Sequence, residues 1–353
     1  MSRREHIAVA MSGGVDSAVA AYLALQQGYQ VTGIYLQLGE APADESLYQC
    51  AEMLKIPLLE ADCRQEFHDR VIVPAAHEYA CGRTPNPCCD CNRVLKFAEL
   101  LKVASDNGIN KVFTGHYVRL KQGEDGVPRL YKGLDMTKDQ SYFLYRLTRN
   151  ELSRTGFPLG ELNKTDVRRI AAEAGLPVAS RPDSQDACFQ IPGECCGETL
   201  RRRCGLPVRK GKFIHNGKVV GRHEGIHRYT IGQRQGLNVA LGVPAYIASI
   251  DAASGMIYLT VDSGELMSGG FIVKQVNWCS GSTPQCGGNI SVRIRYRSPG
   301  CDCTFVENAD GTLSVYPVEK LRAVTPGQAA VFYAGDELLG GGIIDSVNGG
   351  NDV

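Results

Sequence analysis

With 353 residues, 43% of them hydrophobic, and 38 Lys/Arg balanced by 38 Asp/Glu, the chain is a globular protein too long for one ordinary core, and two or three domains are expected. The apolar run after Arg3 and Arg4 is far too short for a signal peptide or a membrane span, so a cytoplasmic protein with no membrane association is expected. Thiols stay reduced there, which excludes a disulfide framework for the 14 cysteines and leaves buried small residues, metal ligands or catalytic groups.

The predicted elements open with a short apolar strand, HIAVAM, ending in Ser-Gly-Gly. An alanine-rich helix follows, SAVAAYLALQQ, closed by Gly28 as its C-cap, and then a second strand, YQVTGIYLQL. Asp44 to Lys55 reads as helix, IPLLEAD as strand, Phe67 to Tyr79 as helix, Val94 to Asn107 as helix and KVFTGHYV as strand. Strands alternating with helices predict a parallel sheet with crossovers over residues 1–150, an α/β fold. Residues 151–205 read as a helical linker with one helix at Thr165–Ala174, stopped by Gly175 and Pro177. Residues 206–265 read as a small β-rich domain and 266–353 as a C-terminal β-barrel, with hairpin turns at HNGK and ADGT and a polar tail, GGNDV.

Net neutrality hides an asymmetry. Residues 1–90 hold twelve Asp/Glu against six Lys/Arg, whereas Arg201 to Arg234 holds ten Lys/Arg, three histidines and one acid, Glu224. A basic block in a neutral protein is either a solvated face or the footprint of a polyanion.

Chemistry concentrates first at SGGVDS, Ser12 to Ser17, between a strand and a helix. Backbone N–H groups at a glycine-rich turn and helix N-terminus cradle an anion, Gly13 and Gly14 permit close approach, and Ser12 and Ser17 add hydroxyls. No GK[ST] follows, so this is not a Walker A loop, and Asp16 suits a magnesium-bound pyrophosphate instead. The second concentration is TPNPCCDCN, with three cysteines in four positions of a proline-punctuated loop.

SGGVDS on a first parallel strand resembles the signature of the PP-loop (ATP pyrophosphatase) superfamily, whose adenine nucleotide alpha hydrolase-like domains adenylate a substrate oxygen. TPNPCCDCNRVLKF, TGHY, GLDMTKDQSYFLYRL, FPLGELNKTDVRRIA, DSQDACF, YTIGQRQGL, RIRYRS and VTPGQAAVFY follow in order. Together they resemble the bacterial-type tRNA-specific 2-thiouridylases over residues 5–345. That resemblance implies ATP-dependent replacement of the C2 oxygen of the wobble uridine, position 34 of tRNA, by sulfur. An adenylated oxygen becomes a leaving group, and a thiolate or persulfide supplies sulfur.

Carried over by motif, Cys91 corresponds to the nucleophile and Cys188 to the persulfide carrier, a pair that can hand over sulfur and close as a disulfide. Ala10, Met11, Ser12, Gly13, Gly14, Val15, Asp16, Ser17, Leu36 and Gly115 would hold ATP; the family more often has methionine at Leu36. Asn86, Pro87 and Cys88 would line the target base. His116, Lys138, Asp139, Gln140, Arg295, Tyr296 and Gln328 fall where the family contacts tRNA, and Arg201, Arg202, Arg203, Arg209, Lys210 and Lys212 would meet phosphates. A sulfur-donor protein or inorganic sulfide is an implied partner, with a monomer acting on each tRNA. Each residue also has a blander reading: Cys188 as a core thiol, His116 as a strand-end hydrogen bond, Arg295 and Tyr296 as outward strand positions.

The chain departs from the family where many members have aspartate and it has Cys88. Three readings follow. Cys91 and Cys188 work through a persulfide; or Cys88, Cys91 and Cys188 ligate a [4Fe–4S] cluster whose open iron binds sulfide; or Cys81 or Cys89 completes a zinc site. Two rival functions also stand: a PP-loop ligase acting on a small metabolite, and a tRNA-binding Fe–S or persulfide carrier that modifies nothing.

Overall fold

The computed structural model describes residues 4–183, 187–284 and 289–347. Ser184–Asp186 of DSQDACF and the tail GGNDV lie outside them. Among the described residues no helix is long and apolar enough to cross a membrane.

Strand β1 (His6–Ala10) is central because Ile7, Ala8 and Val9 are fully buried on both its faces, the pattern of an interior parallel strand. It pairs in parallel with β2 (Gln30–Gln37) on one side and β4 (Lys111–Phe113) on the other. Strand β3 (Leu58–Asp62) extends the β2 edge, and the two-residue strand Thr155–Gly156 the β4 edge. Helix α1 (Val15–Gln26) lies on this sheet through its alanine face. It ends at Gln27, with Gly28 one residue beyond at φ +88° and Tyr29 N–H donating to Ala24 C=O, a Schellman stop. Helix α2 (Glu45–Leu54) starts where the Asp44 carboxylate accepts from Ser46 N–H.

Two predicted elements change. KVFTGHYV is not one strand: β4 stops at Phe113, the chain turns through Thr114–Tyr117, and Val118 begins a hairpin, β5 (Val118–Gln122) and β6 (Pro128–Lys132). That hairpin leaves the first sheet and pairs with the last strand of the chain, Glu337–Val347. The cysteine segment is not a loop either. Helix begins at Pro87, whose fixed φ suits the first helical position, and runs to Asp106 through a π-helical stretch, Asn92–Lys96. A second π stretch, His68–Ile72, interrupts the facing helical run of residues 64–80. π-turns inside helices concentrate at functional sites.

Residues 151–205 are not a free linker. Val167 and Ala171 of helix Lys164–Glu173 share the first core with α1, and helix Cys196–Arg203 packs on Val73–Ala80. The central sheet, ordered Tyr246–Asp251, Met256–Thr260, Gly211–His215, Lys218–His223, has its own core around Phe213, Ile247 and Ile257. Its HNGK turn carries Asn216 and Gly217 at positive φ, as predicted for a two-residue hairpin. The C-terminal sheet closes into a barrel because Phe271–Trp278 pairs with both Leu313–Pro317 and Glu337–Val347.

Residues 133–147 are wedged between the parallel-sheet domain and this barrel, pinned by Asp139. Only 2% exposed, Asp139 accepts from Gly133 N–H, Ser141 N–H and the Ser141 hydroxyl, and lies 3.4 Å from Arg293. Its expected place at the tRNA surface is therefore corrected: it braces the interdomain segment from within. Removing one partner of a buried ion pair strands the other. Asp139→Ala is expected to lower unfolding free energy by about 3–5 kcal/mol in a denaturant titration; a loss below about 1 kcal/mol, the scale of an exposed pair, would show that the pair does not hold the wedge.

Candidate active site

At the end of β1 the chain turns at Gly13 (φ +73°), and α1 starts after Gly14 with no side-chain cap. Ser17 Oγ accepts from Ser12 N–H at 3.1 Å and donates to Gly14 C=O at 2.9 Å, setting the turn. The helix start has no side-chain cap, a local structure that fits the anion cradle expected of SGGVDS. Gly115 packs directly on it: a Cβ there would lie 2.8 Å from the Asp16 carbonyl carbon and 2.9 Å from its oxygen. Ala10, Met11, Ser12, Asp16, Ser17, Leu36 and Gly115, seven of the ten residues expected to hold ATP, line one cavity of about 320 Å³. Gly13, Gly14 and Val15 shape the turn beside it.

Lysine, absent from the loop, arrives from elsewhere. Lys164 Nζ lies 2.7 and 2.8 Å from the two Asp16 oxygens and 2.9 Å from Asp183, which Lys138 and Arg168 also pair. The Tyr117 hydroxyl donates to the same Asp16 at 2.7 Å. Asp16, expected to serve magnesium, is thus already taken by an ammonium. Lys164 and Tyr117 were not singled out from sequence, since their distance along the chain from SGGVDS hides the contact.

A second cavity of about 220 Å³ adjoins the first and is lined by Pro87, Cys88, Asn92 and both expected catalytic thiols, Cys91 and Cys188. The helix explains the cysteine spacing: positions three apart share a face. Cys88 and Cys91 therefore look into the cavity, while Cys89 is 2% exposed and points its thiol toward Tyr142 C=O. Asp90 turns away to an ion pair with Arg146, so it does not replace the family's aspartate. Asn86 is the N-cap, just outside the lining. Among the described residues no group of three or more His, Cys, Asp or Glu side chains is arranged to hold a metal ion. The three thiols share a cavity without forming a cluster-ready or zinc-ready set.

The two cavities share a wall made by Leu38, Lys96, His116, Gln140 and Cys188. Burial pushes the Cys91 thiol up to about 11, opposed by Lys96. Burial also raises Cys88 and Cys188, again against Lys96; Cys188 is exposed at the mouth but still surrounded by protein. Thiolate is therefore scarce at neutral pH and grows tenfold per unit below the folded pKa. Alkylation of Cys91, followed by peptide mass spectrometry, is expected to accelerate about tenfold per unit between about pH 7 and pH 10. A plateau near pH 8 would contradict the burial.

His116 is held neutral, drawn down to about 3 by burial and then by Lys96. Its Nδ1 lies 2.8 Å from Thr114 Oγ1 and its ring stacks on Phe97. It sits in the wall between the cavities, as does Gln140, whose Oε1 accepts from Tyr117 N–H. Two other residues expected at tRNA also bond within the protein. Arg295 donates through Nη2 to Ile231 C=O, Ala323 C=O and Thr325 Oγ1, and Gln328 donates to Thr84 C=O at 2.8 Å. They tie the central domain and the TPNPC segment to the barrel. The Tyr296 ring packs tilted against Phe143, a wall of the thiol cavity, with centroids 4.6 Å apart. In the basic window Arg201, Arg202 and Lys210 are paired with Glu198, Glu194 and Glu224, and Arg209 with Ala252 C=O; Arg202, Arg203, Arg209, Lys210 and Lys212 are all exposed.

A strand–SGGVDS–helix turn on a parallel sheet, opening onto a cavity that abuts a thiol-lined one, defines a PP-loop protein equipped for sulfur chemistry. Family models match in three consecutive blocks: the "tRNA methyl transferase HUP domain" at residues 5–192, the "tRNA methyl transferase PRC-barrel domain" at 200–260 and the "aminomethyltransferase beta-barrel domain" at 268–344. The chain is 41% identical over 363 residues to the tRNA-specific 2-thiouridylase MnmA of Geotalea uraniireducens, covering 98% of this chain and 96% of that one. It is 42% identical over 352 residues to the same enzyme of Syntrophotalea carbinolica, covering 97% and 99%. Among solved structures, a 4-thiouridine synthetase–RNA complex with bound ATP is similar at a TM-score of 0.38 and 17% identity, over 56% of this chain and 50% of that one. The chain belongs to the tRNA-specific 2-thiouridylase family.

Proposed function

We propose that this protein is an ATP-dependent tRNA sulfurtransferase that converts the C2 oxygen of the wobble uridine to sulfur. The observation carrying this reading is the shared wall: Cys188 borders both the nucleotide cavity and the thiol cavity that holds Cys91. A nucleobase extruded from the anticodon enters the thiol cavity. Its C2 oxygen attacks the α-phosphorus of ATP, and pyrophosphate departs. A persulfide on Cys188, loaded by a sulfur donor, attacks C2 through its terminal sulfur and AMP leaves. Cys91 thiolate then attacks the Cys188 sulfur, which breaks the S–S bond to the transferred sulfur. Thiouridine is released, the two cysteines are joined as a disulfide, and an external thiol restores them. Lys96, lining both cavities, offers a cation to the thiolates and the departing phosphate.

A magnesium ion accompanying ATP would take its ligands chiefly from phosphate and water, because Asp16 is already paired with Lys164. The thiols do not compose an iron–sulfur ligand set, and no step is routed through one. Exposed Arg203 and Lys212, with a cytoplasmic location, fit a tRNA partner.

The test is nucleoside mass spectrometry of tRNA incubated with the protein, ATP and a persulfide donor, with pyrophosphate measured in parallel. Thiouridine and pyrophosphate in equal amounts are expected. Pyrophosphate release that needs a small metabolite and no RNA would replace this reading with a ligase, and tRNA binding without AMP would replace it with a carrier.

A further inference from the structure

Asn92 follows Cys91 and lines the thiol cavity, yet it is only 4% exposed. Its Nδ2 donates to Phe143 C=O at 3.1 Å, which fixes the amide orientation, because a carbonyl can only accept. Its Oδ1 is consequently a buried acceptor, and among the described residues it has no hydrogen-bond partner. Buried side-chain acceptors are rarely left unpaired, and those that are call for a functional explanation. The oxygen has almost no accessible surface in the free protein, so its acceptor capacity stays empty until a base entering the cavity that Asn92 lines displaces the side chains covering it.

We propose that Asn92 Oδ1 accepts the N3–H of the target uridine and thereby selects uridine over cytidine. The inference rests on the tRNA-thiolating reading and adds how the base is chosen. Extruded bases are read on their Watson–Crick edge. Uridine carries one donor there, N3–H, flanked by the C2 and C4 oxygens; cytidine carries a bare N3 acceptor that would face Oδ1 acceptor to acceptor. The geometry also orients the reaction. Asn92, Cys91 and Cys188 line one cavity, so a base held there at N3 keeps the neighbouring ring atom C2 within the thiol-lined space. Lys96, His116, Gln140 and Cys188 line the junction with the nucleotide cavity, where the C2 oxygen must meet ATP. Cys88 and Cys91 offer thiols, Phe143 C=O is engaged by Nδ2, and Gln140 Oε1 already accepts from Tyr117 N–H.

The test pairs a residue change with a base change. The protein and Asn92→Ala are compared on anticodon stem-loop RNAs carrying uridine or 3-deazauridine at position 34; the latter has C–H in place of N3–H and a hydroxyl in place of the C4 oxygen, and the comparison with Asn92→Ala separates the first change from the second. Wild type is expected to bind the uridine RNA about 10- to 100-fold more tightly, the scale for losing a hydrogen bond that a site was built around. Asn92→Ala is expected to bring that ratio to within about twofold of one, and to lower thiolation of uridine RNA by a similar 10- to 100-fold while ATP binding is unchanged. If wild type does not discriminate between the two bases, or if the variant weakens both RNAs equally, the inference fails. The wild-type comparison decides even if the variant does not fold. Failure of wild type to thiolate uridine RNA at all would instead sink the functional reading beneath it.

Discussion

Serine at Cys91 or at Cys188 is expected to lower thiouridine formation by roughly 10³-fold or more, because a hydroxyl is a far weaker nucleophile and cannot carry a persulfide. Both thiols line the cavity and neither has a substitute on the same face except Cys88. ATP binding is expected to stay within about twofold in each variant, since the SGGVDS turn is set by its own Ser12 and Ser17 bonds. Combining the two changes is expected to cost little more than either alone, as groups acting in one sequence are not additive. Cys88→Ser is expected to cost about tenfold or less. A Cys88 variant as silent as the other two would return the third thiol to the chemistry. Retained thiolation in either Cys91→Ser or Cys188→Ser, measured by nucleoside mass spectrometry in single-turnover conditions, would remove that residue from its assigned role.

Adding one methyl group at Gly115 should come next in size. The new Cβ would sit 2.8 Å from the Asp16 carbonyl carbon and 3.0 Å from Ser17 N. These are backbone atoms at the start of α1, and they cannot swing aside as a side-chain tip can. The nucleotide turn must move by several tenths of an ångström, and with it Asp16 and its partners Tyr117 and Lys164. Gly115→Ala is expected to weaken ATP binding and lower turnover by about 10²-fold, the cost typical of an ångström-scale misplacement. Calorimetry with ATP checks it. Unchanged affinity would mean that the turn tolerates displacement and that its geometry does not set nucleotide binding.

Much of this was legible because local chemistry and tertiary role coincide. Strand β1 is a continuous apolar run and is buried on both faces; HNGK carries the residues a positive-φ turn requires; SGGVDS has the glycines of a strand-to-helix anion turn. The failures share a physical cause. TPNPCCDCN has the proline punctuation of a loop, but Pro87 is a helix starter, and only the core-facing Cys89 and the cavity-lining Cys88 and Cys91 make that visible. KVFTGHYV is rich in β-formers, yet the strand stops at Phe113 and Gly115 packs closely on the Asp16 backbone in a turn in its middle. Arg295, Gln328 and Asp139 resemble surface polar residues in a linear text, yet each has a partner tens to hundreds of residues away: Ala323, Thr84 and Arg293. Lys96 lay in view within CNRVLKF, but its place in the shared wall follows from the π stretch that carries it.

The hairpin β5–β6 gives the molecule an unusual timetable. Tyr131 and Leu130 find their strand partners at Glu337 and Leu338, near the far end of the chain. A ribosome therefore finishes the nucleotide-binding half long before it makes the strand against which part of that half must lie. Until then the hairpin presents an unpaired edge, open to wrong partners, and the wedge carrying Lys138 and Gln140 lacks its barrel-side support. Chains interrupted anywhere before residue 337 would keep the ATP turn yet be unable to seat the wedge. Seating the wedge, and with it Lys138 and Gln140, therefore waits on the synthesis of the strand Glu337–Val347.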